Sequence, residues 1–399
     1  MSDTISDLLA SAPDAAPALL APARATLTFA GLRQQQRETV KRLNELGVGR
    51  SATVAIVLPN GPEMASAFVC VAAGATTAPL NPAYKQVEFE FYLADLDADL
   101  LIIQEGDATA ARSAAEKLGI NIAVLSCTAG APAGVFTLNA DFSAEPVVGD
   151  DAGFAQSDDT ALVLHTSGTT SKPKIVPLSH ENICASAANI AASIELVSSD
   201  SCLNVMPLFH IHGLLAAVLA SLRAGASIIC TPGFNALKFF ALLEHYAPTW
   251  YTAVPTMHQA VMARAGRNEG IIAAAPLRLI RSSSASLPPQ VMSELEATFS
   301  APVIEAYGMT EAAHQMACNP LPPRQRKPGT VGIPAGPEVA IMDTADNLLP
   351  VGEIGEVVIR GANVTSGYRS NAAANAEAFT NGWFRTGDQG VIDEDGYYV

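Results

Sequence analysis

Residues 162–174 read LVLHTSGTTSKPK, and this stretch decides how the rest of the sequence is interpreted. An apolar run typical of a buried strand leads into a loop rich in hydroxyl side chains, with one glycine and two lysines. A glycine lets backbone N–H groups approach an anion closely, hydroxyls add hydrogen-bond donors, and Lys174 adds a positive charge. Because the G-x-x-x-x-G-K-[ST] pattern of a Walker loop is absent, the stretch indicates a polyphosphate-binding loop of another kind. Taken alone, it could also be an ordinary solvated turn.

Short apolar runs alternate with helix-like segments on both sides of this loop, for example at residues 53–58 and 98–103. Such alternation predicts doubly wound parallel sheets, and we expect two α/β subdomains, residues 1–155 and 156–323. After residue 323 the runs become short strands punctuated by glycine and proline, which predicts a small β-rich lobe over residues 324–399.

Three local expectations accompany this α/β fold. The first ten residues read as a frayed end, residues 213–223 as a helix, and residues 391–393 as a short strand. All three follow from local composition and apolar spacing alone.

The composition predicts a folded, acidic protein. Of 399 residues, 49% are hydrophobic and only 16% are charged, which is the reverse of the balance in a disordered chain. The net charge of −16 argues against general nucleic-acid binding, which depends on basic patches. The longest uncharged run, residues 201–222, includes Asn204 and two histidines, so we expect a buried segment and no membrane span. The acidic start lacks the pattern of a signal peptide, and we expect a cytoplasmic protein.

Two further motifs suggest nucleotide chemistry. Residues 306–312, AYGMTEA, follow a buried strand and offer the Thr310 hydroxyl and the Glu311 carboxylate at its end, where open α/β sheets bind ligands. Hard oxygen ligands of this kind suit Mg²⁺. Residues 382–390, GWFRTGDQG, hold Asp388 between glycines, where a carboxylate could grip a vicinal diol such as a ribose. Each motif alone could be a turn, but their order along the chain indicates one site.

The motifs TSGTTSKPK, AYGMTE and WFRTGD, together with GEIGEVVIRG and the pair Gly367–Tyr368, resemble the AMP-forming acyl-CoA synthetase family over essentially the whole sequence. Two positions depart from the family pattern: Ser171 stands where a glycine is usual, and Ile175 replaces another glycine. The resemblance implies ATP, Mg²⁺ and coenzyme A as partners of a small carboxylic acid. The acid attacks the α-phosphate of ATP and pyrophosphate leaves; the thiol of CoA then attacks the acyl-adenylate and AMP leaves.

The resemblance also implies roles for individual residues. The residues expected to cradle the phosphates are Thr166, Ser167, Gly168, Thr169, Thr170 and Lys174. Thr310 is expected to contact the α-phosphate and Glu311 to hold Mg²⁺, and with Lys174 they form the expected catalytic group. The residues expected around the nucleoside are Ser284, Ala285, Ser286, Glu305, Ala306, Tyr307 and Gly308, with Tyr307 stacked near the adenine. Asp388 is expected to bind the ribose hydroxyls.

The acid substrate is predicted from a set of histidines and serines that the resemblance places in the acyl pocket: His210, His212, Ser283, Ser284 and His314. A histidine can donate a hydrogen bond to a carboxylate, and a protonated histidine can neutralise it. Strings such as MPLFHIHGLLA and EAYGMTEAAHQMACNPLPP resemble the oxalate–CoA ligase subgroup, so oxalate is the predicted acid. Malonate or another short acid is the alternative, as is an adenylation-only or nucleotide-binding module.

The family pattern continues beyond Val399 with a hinge and a C-terminal lobe that brings an arginine and a lysine to the nucleotide. We therefore expect residues 1–399 to bind ATP but to form the thioester slowly, and the full-length enzyme to carry that lobe.

Overall fold

The computed structural model describes residues 3–106, 110–166 and 173–399. Within these ranges, helices and strands alternate through the first half of the chain as the apolar runs predict. In chain order they are α1 (Ile5–Ala10), β1 (Pro17–Leu20), β2 (Leu27–Thr28), α2 (Phe29–Glu45), β3 (Thr53–Val57), α3 (Pro62–Ala72), β4 (Thr76–Pro79), α4 (Gln86–Asp95), β5 (Leu100–Gln104), α5 (Ala110–Leu118), β6 (Asn121–Ser126), β7 (Thr137–Ala140), β8 (Thr160–Thr166), β9 (Lys174–Ser179) and α6 (His180–Ser193).

The second half of the chain continues the alternation and then becomes mostly strand. Its elements are β10 (Ser201–Asn204), a π-helix (His212–Leu219), α7 (Ala220–Arg223), β11 (Ser227–Cys230), α8 (Phe239–Tyr246), β12 (Trp250–Ala253), α9 (Pro255–Ala265), α10 (Glu269–Ala274), β13 (Leu279–Ser283), α11 (Pro289–Phe299), β14 (Val303–Met309), β15 (His314–Cys318), β16 (Ile333–Pro334), β17 (Glu338–Met342), β18 (Gly355–Arg360), α12 (Ala372–Ala378), β19 (Phe379–Thr380) and β20 (Trp383–Gly390).

The first sheet has the strand order β7-β6-β5-β3-β4-β8-β9. Its five inner strands run parallel, while β7 and β9 are antiparallel edges. All five residues of β3 are buried, as expected for a strand covered by helices on both faces. Strands β8 and β9 flank residues 167–172, so Ser167, Gly168, Thr169 and Thr170 of the predicted phosphate loop lie outside the described residues.

The second sheet has the order β16-β15-β14-β13-β12-β10-β11-β1-β2. Strands β1 and β10–β14 are parallel, so the carboxyl ends of β12, β13 and β14 meet at one edge. Strand β15 folds back antiparallel to β14 and forms a hairpin at that edge. A four-stranded antiparallel sheet, β17-β18-β20-β19, covers the same region from the C-terminal side. The predicted fold class, parallel α/β sheets with a small β-rich lobe, is confirmed.

The sheets do not follow the predicted division at residue 155. Strands β8 and β9 complete the first sheet, although they follow that position, and β1 and β2 form an edge of the second sheet, although they precede it. The apolar pattern of a strand indicates that the strand is buried, but it carries no information about which sheet it joins.

Of the three local expectations, two were wrong. The first ten residues include helix α1, whose Ile5, Leu8 and Leu9 are fully buried; the Ile5 N–H donates to His180 Nδ1 at 3.2 Å. Residues 391–393 form no strand, and Ile392 makes an isolated bridge to Tyr398. The helix predicted over residues 213–223 is confirmed, with its first part in π-helical form and its last four residues as α7. Among the described residues, no helix is long and apolar enough to cross a membrane.

Candidate active site

Two adjoining cavities lie where the carboxyl edge of the second sheet faces the first sheet and the small antiparallel sheet. The larger, which we call the central cavity, has a volume of about 720 Å³, and the smaller, the side pocket, about 470 Å³. Ser284, Gly308 and Asp388 line both, so the two cavities form one continuous cleft.

The structure brings most of the predicted site residues into this cleft. Those that line it are Thr166, Lys174, His210, Ser284, Ala285, Ser286, Glu305, Ala306, Tyr307, Gly308, Thr310, Glu311, His314 and Asp388. Among the predicted residues that the structure describes, His212 and Ser283 do not line the cleft and are buried. Ser283 donates to the carbonyl of Ala306 at 2.8 Å and so joins β13 to β14.

The hairpin between β14 and β15 carries the predicted Thr310–Glu311 pair at its tip. Residues 310–312 form one 3₁₀ turn, and Ala313 and His314 then adopt positive φ angles of 46° and 98°. Such angles are uncommon for residues with a side chain and mark a turn that the surrounding structure holds in place. At Gly308, an added Cβ would lie 1.7 Å from the His314 carbonyl oxygen, so only glycine allows this close approach of the two strands.

The Glu311 carboxylate is buried and anchored by the loop that contains Tyr368. The Tyr368 hydroxyl donates to Glu311 Oε1 at 3.0 Å, and the Thr365 N–H donates to the Glu311 carbonyl at 2.7 Å. Lys174 Nζ lies 4.6 Å from the centre of the Tyr368 ring. Burial raises the pKa of Glu311, and the hydrogen bond from Tyr368 and the nearby Lys174 oppose that shift. A cation placed in the cleft would favour the charged form of this carboxylate.

Asp388 reaches the cleft from β20, where it directly follows Gly387. Gly387 has a φ of 79°, and the pairing of β18 with β20 shifts register close to it, so the strand bends at that point. The Tyr307 hydroxyl donates to Asp388 Oδ2, which joins the two sides of the cleft. Burial and the neighbouring carboxylate raise the pKa of Tyr307, which therefore remains a hydrogen-bond donor at neutral pH.

Glu305 lies at the floor of the side pocket. Its Oε1 accepts a hydrogen bond from the Leu287 N–H at 2.9 Å, while Oε2 is buried and has no partner among the described residues. Burial raises the pKa of this carboxyl group. Glu305 thus presents an unsatisfied acceptor next to the predicted adenine turn at residues 284–286.

A set of polar side chains on and near β12, β13 and β15 reaches the central cavity through Ser284 and His314. We call it the histidine cluster; its members are His212, Thr252, Arg281, Ser284 and His314. The two imidazole rings are stacked with their centroids 5.0 Å apart. His212 Nδ1 lies 3.0 Å from Ser284 Oγ, and His212 Nε2 lies 2.6 Å from Thr252 Oγ1.

Arg281 is the charged member of this cluster and is completely buried. Its NH1 group lies 3.2 Å from His314 Nε2 and 3.4 Å from Thr252 Oγ1, and its NH2 group donates to Gln315 Oε1 at 3.1 Å. Burial lowers the pKa of Arg281 to about 10, so the guanidinium stays charged at neutral pH. Burial, followed by the charge of Arg281, holds the pKa values of His212 and His314 well below the usual range. These shifts favour the neutral form of both histidines, which leaves Arg281 as the charged group of the cluster.

The family profile described as "AMP-binding enzyme" matches residues 9–369 of the chain. The chain belongs to this family. It is 43% identical to the oxalate–CoA ligase of Arabidopsis thaliana, with 99% of the chain and 78% of that protein covered. It is 42% identical to the oxalate–CoA ligase of Saccharomyces cerevisiae, with coverage of 88% and 68%. Among solved structures, ATP-bound MatB from Rhodopseudomonas palustris superposes with a TM-score of 0.86 at 28% identity, covering 100% of this chain and 78% of that one. The matches show an acyl-CoA ligase of the AMP-binding family.

Sequence reasoning missed two features of this AMP-binding enzyme. Arg281 received no predicted role, because an arginine within a buried strand has no motif around it. Tyr368 was noticed only as part of the Gly367–Tyr368 pair, and its hydroxyl contact with Glu311 depends on how the loop between β18 and α12 folds against the hairpin. The lining of the central cavity also includes the basic side chain of Arg385, which pairs with Glu356.

The residues present in this AMP-binding enzyme are compatible with Mg²⁺. Glu311, Glu356, Glu377 and Asp388 line the central cavity, and we call them the carboxylate rim. Within the described ranges, no three His, Cys, Asp or Glu side chains cluster tightly enough to hold a metal ion by themselves. Mg²⁺ in nucleotide enzymes usually needs only one or two carboxylates, because phosphate oxygens and water complete its coordination. Glu311, beside the Thr310 hydroxyl, offers such a partial set.

Proposed function

We propose that the protein is an oxalate–CoA ligase that converts oxalate, ATP and CoA into oxalyl-CoA, AMP and pyrophosphate through an oxalyl-adenylate. The observation that carries this proposal is the histidine cluster, where neutral donors in front of a buried arginine close the end of the central cavity. A monocarboxylic acid with an apolar tail would leave these polar groups desolvated and without partners, which costs free energy.

In this proposal the acid and the nucleotide lie end to end in the cleft. The adenosine occupies the side pocket, between residues 284–286 and Tyr307, and Asp388 accepts hydrogen bonds from the ribose. The triphosphate extends past Thr310 toward Thr166 and Lys174. Mg²⁺ supplies charge neutralisation at the phosphate oxygens, and Glu311 holds it.

The reaction then requires one carboxylate of oxalate to reach the α-phosphate while the other stays fixed. His314 and Ser284 hold the second carboxylate, so the first points along the cavity toward Thr310. Thr310 donates to the α-phosphate, where negative charge builds as pyrophosphate leaves. Holding both reactants in one cleft removes most of the entropic cost of bringing two anions together.

The short distance between the cluster and the hairpin tip favours a small acid. Ser284 and Gly308 line both cavities, and only Ala313 separates His314 from the Thr310–Ala312 turn, so little depth is left between the phosphate region and the cluster. Two relatives that are 42–43% identical to this chain carry the name oxalate–CoA ligase.

The test offers the protein ATP, Mg²⁺ and a panel of acids: oxalate, malonate, acetate and a medium-chain fatty acid. Adenylate formation is followed as pyrophosphate release in single turnovers with the protein in excess, and thioester formation after CoA is added. In parallel, the affinities of N-acylsulfamoyl adenosines, stable mimics of the adenylates, are measured by calorimetry. We expect oxalate and its mimic to lead both series. A faster reaction or tighter binding with the fatty acid would exclude oxalate as the substrate.

A further inference from the structure

Arg281 is a buried cation without a buried anion. Its side chain is fully inaccessible, and among the described residues no carboxylate lies within ion-pair distance of the guanidinium. The guanidinium contacts three neutral groups: the Thr252 hydroxyl, the His314 ring and the Gln315 amide. Its Nε has no hydrogen-bond partner in the described structure. A buried charge of this kind is costly unless something compensates it. The nearest space that can hold an anion is the central cavity, which His314 separates from the guanidinium.

The contact between Arg281 and His314 determines where the imidazole carries its proton. A guanidinium has only N–H donors, so His314 Nε2, 3.2 Å from NH1, must accept. The neutral ring therefore carries its proton on Nδ1. This atom lies on the side of Gly308, which lines the cleft: an added Cβ at Gly308 would be 3.2 Å from Nδ1. The proton is thus directed toward the cavity, away from the arginine.

A second chain of hydrogen bonds starts from the same guanidinium. Thr252 Oγ1 accepts from Arg281 NH1 at 3.4 Å, which leaves its hydroxyl proton for His212 Nε2 at 2.6 Å. His212 Nδ1–H then donates to Ser284 Oγ at 3.0 Å, and the Ser284 hydroxyl proton is free to point into the cleft. Each donor in such a chain is polarised by the one before it.

We infer that Arg281 is a positioning and specificity-determining residue, which acts through both histidines to present two polarised donors, His314 Nδ1–H and Ser284 O–H, to an anionic group of the substrate. The arginine itself never touches the substrate. It provides the positive charge that compensates the second carboxylate, and it prevents either histidine from offering a bare acceptor to that carboxylate. This inference rests on the proposed function, since it assigns the far end of oxalate to this pair of donors.

The first experiment reads the proton position without any substrate. The protein is labelled with ¹⁵N-histidine, and two-bond ¹H–¹⁵N correlations report the tautomer of each ring, with His314 assigned from a His314→Gln variant. We expect His314 as the neutral Nδ1–H form in the parent protein. In Arg281→Met it should revert to the commoner Nε2–H form, because the obligatory donor at Nε2 is gone. An Nε2–H or doubly protonated His314 in the parent would overturn the inference.

The second experiment compares two mimics that differ only in charge: oxalyl- and oxamoyl-sulfamoyl adenosine, which end in a carboxylate and in an amide of the same shape. We expect the parent to prefer the oxalyl mimic by about 30-fold and Arg281→Met to lose that preference, with ATP affinity unchanged within about twofold. Arg281→Lys, which keeps the charge, should retain part of it.

Arg278→Met serves as the matched control, because Arg278 lies three residues earlier and pairs with Asp200 away from the cleft. It should keep the preference of the parent, and thermal melting confirms that each variant is folded. If the parent itself shows no preference for the carboxylate, the proposed function fails, whereas the tautomer measurement still reports on Arg281. If the parent shows the preference and Arg281→Met keeps it, the proposed function stands and the role of Arg281 is refuted.

Discussion

The carboxylate rim and the histidine cluster are two regions of one cleft and solve opposite electrostatic problems. The rim has exposed carboxylates such as Asp388 and Glu377, with Glu311 as its buried member. In the cluster, every member except Ser284 is buried, and a single positive charge lies behind neutral rings. Solvent and a bound cation can compensate the charges of the exposed rim. A buried charge has no such compensation, so the fold must place its partners beforehand.

This difference predicts that the rim and the cluster control different properties of the enzyme. The rim faces the phosphates in the proposed arrangement, so changes there should alter the rate of adenylate formation and the affinity for nucleotide. The cluster faces the acid, so changes there should alter the choice of acid. A rim variant that changed the choice of acid, or a cluster variant that changed nucleotide affinity, would show that the two regions do not act separately.

The largest expected effect is at the rim. Glu311→Gln removes the negative charge that holds Mg²⁺ in our proposal and should slow adenylate formation by about 10³-fold. Single-turnover pyrophosphate release measures this rate, and the preference for oxalate over acetate should not change. Glu353→Gln is the control, since Glu353 is exposed and does not line the central cavity. A Glu311→Gln protein with nearly normal rates would remove Glu311 from the proposed metal site.

The next effect is at the cluster. His314→Ala removes one donor to the substrate and leaves Arg281 without its partner at NH1, so the affinity for the oxalyl mimic should fall by about 100-fold. Calorimetry with the mimic and with ATP distinguishes an effect on acid binding from an effect on nucleotide binding, because ATP affinity should stay within about twofold. His245→Ala, at an exposed position outside the cleft, should match the parent. An equal loss for ATP and for the mimic would argue against the division of roles.

A smaller effect is expected where the side pocket meets the central cavity. Asp388→Asn keeps the shape of the side chain but weakens acceptance of hydrogen bonds from the ribose and from Tyr307, so ATP should bind about tenfold more weakly. The preference of the oxalyl over the oxamoyl mimic should remain that of the parent. Asp141→Asn changes an exposed carboxylate elsewhere and serves as the reference. The assignment fails if Asp388→Asn leaves nucleotide affinity intact.

The smallest expected effect is the response of the cluster to pH. The pKa values of His212 and His314, held well below the usual range by burial, favour neutral rings near neutral pH, and Arg281, with a pKa of about 10, stays charged there. The ratio of oxalyl to oxamoyl affinity should therefore change by less than about twofold between pH 6 and pH 8. A tenfold fall in this ratio as pH rises across that interval would mean that a protonated histidine carries the charge.

The carboxylate rim and the histidine cluster also differ in how far the sequence alone could predict them. Thr310, Glu311 and Asp388 belong to contiguous motifs, so the residues next to them in the chain are enough to indicate their roles. The cluster depends on strand register: Thr252 pairs with Arg281 across 29 residues, and His314 meets Arg281 across 33. No local sequence pattern predicts these contacts between distant residues. The position of His212 also depends on the π-helix, which begins at this residue. The parallel fold was predictable because apolar periodicity is local, whereas the exchange of edge strands between the two sheets was not.

The close contact between Gly308 and the carbonyl of His314 has a consequence for how the enzyme could be redesigned. In the proposed arrangement, the spacing between the phosphates and the acid is set by main-chain atoms of the hairpin, where β14 pairs with β15 and Gly308 lies close to the His314 carbonyl. Longer acids could not be admitted by trimming side chains at the hairpin tip. Room for longer acids would have to be made behind the imidazole rings, at Arg281. The hairpin then fixes the length of the site, and the residues behind the rings are the ones that redesign can change.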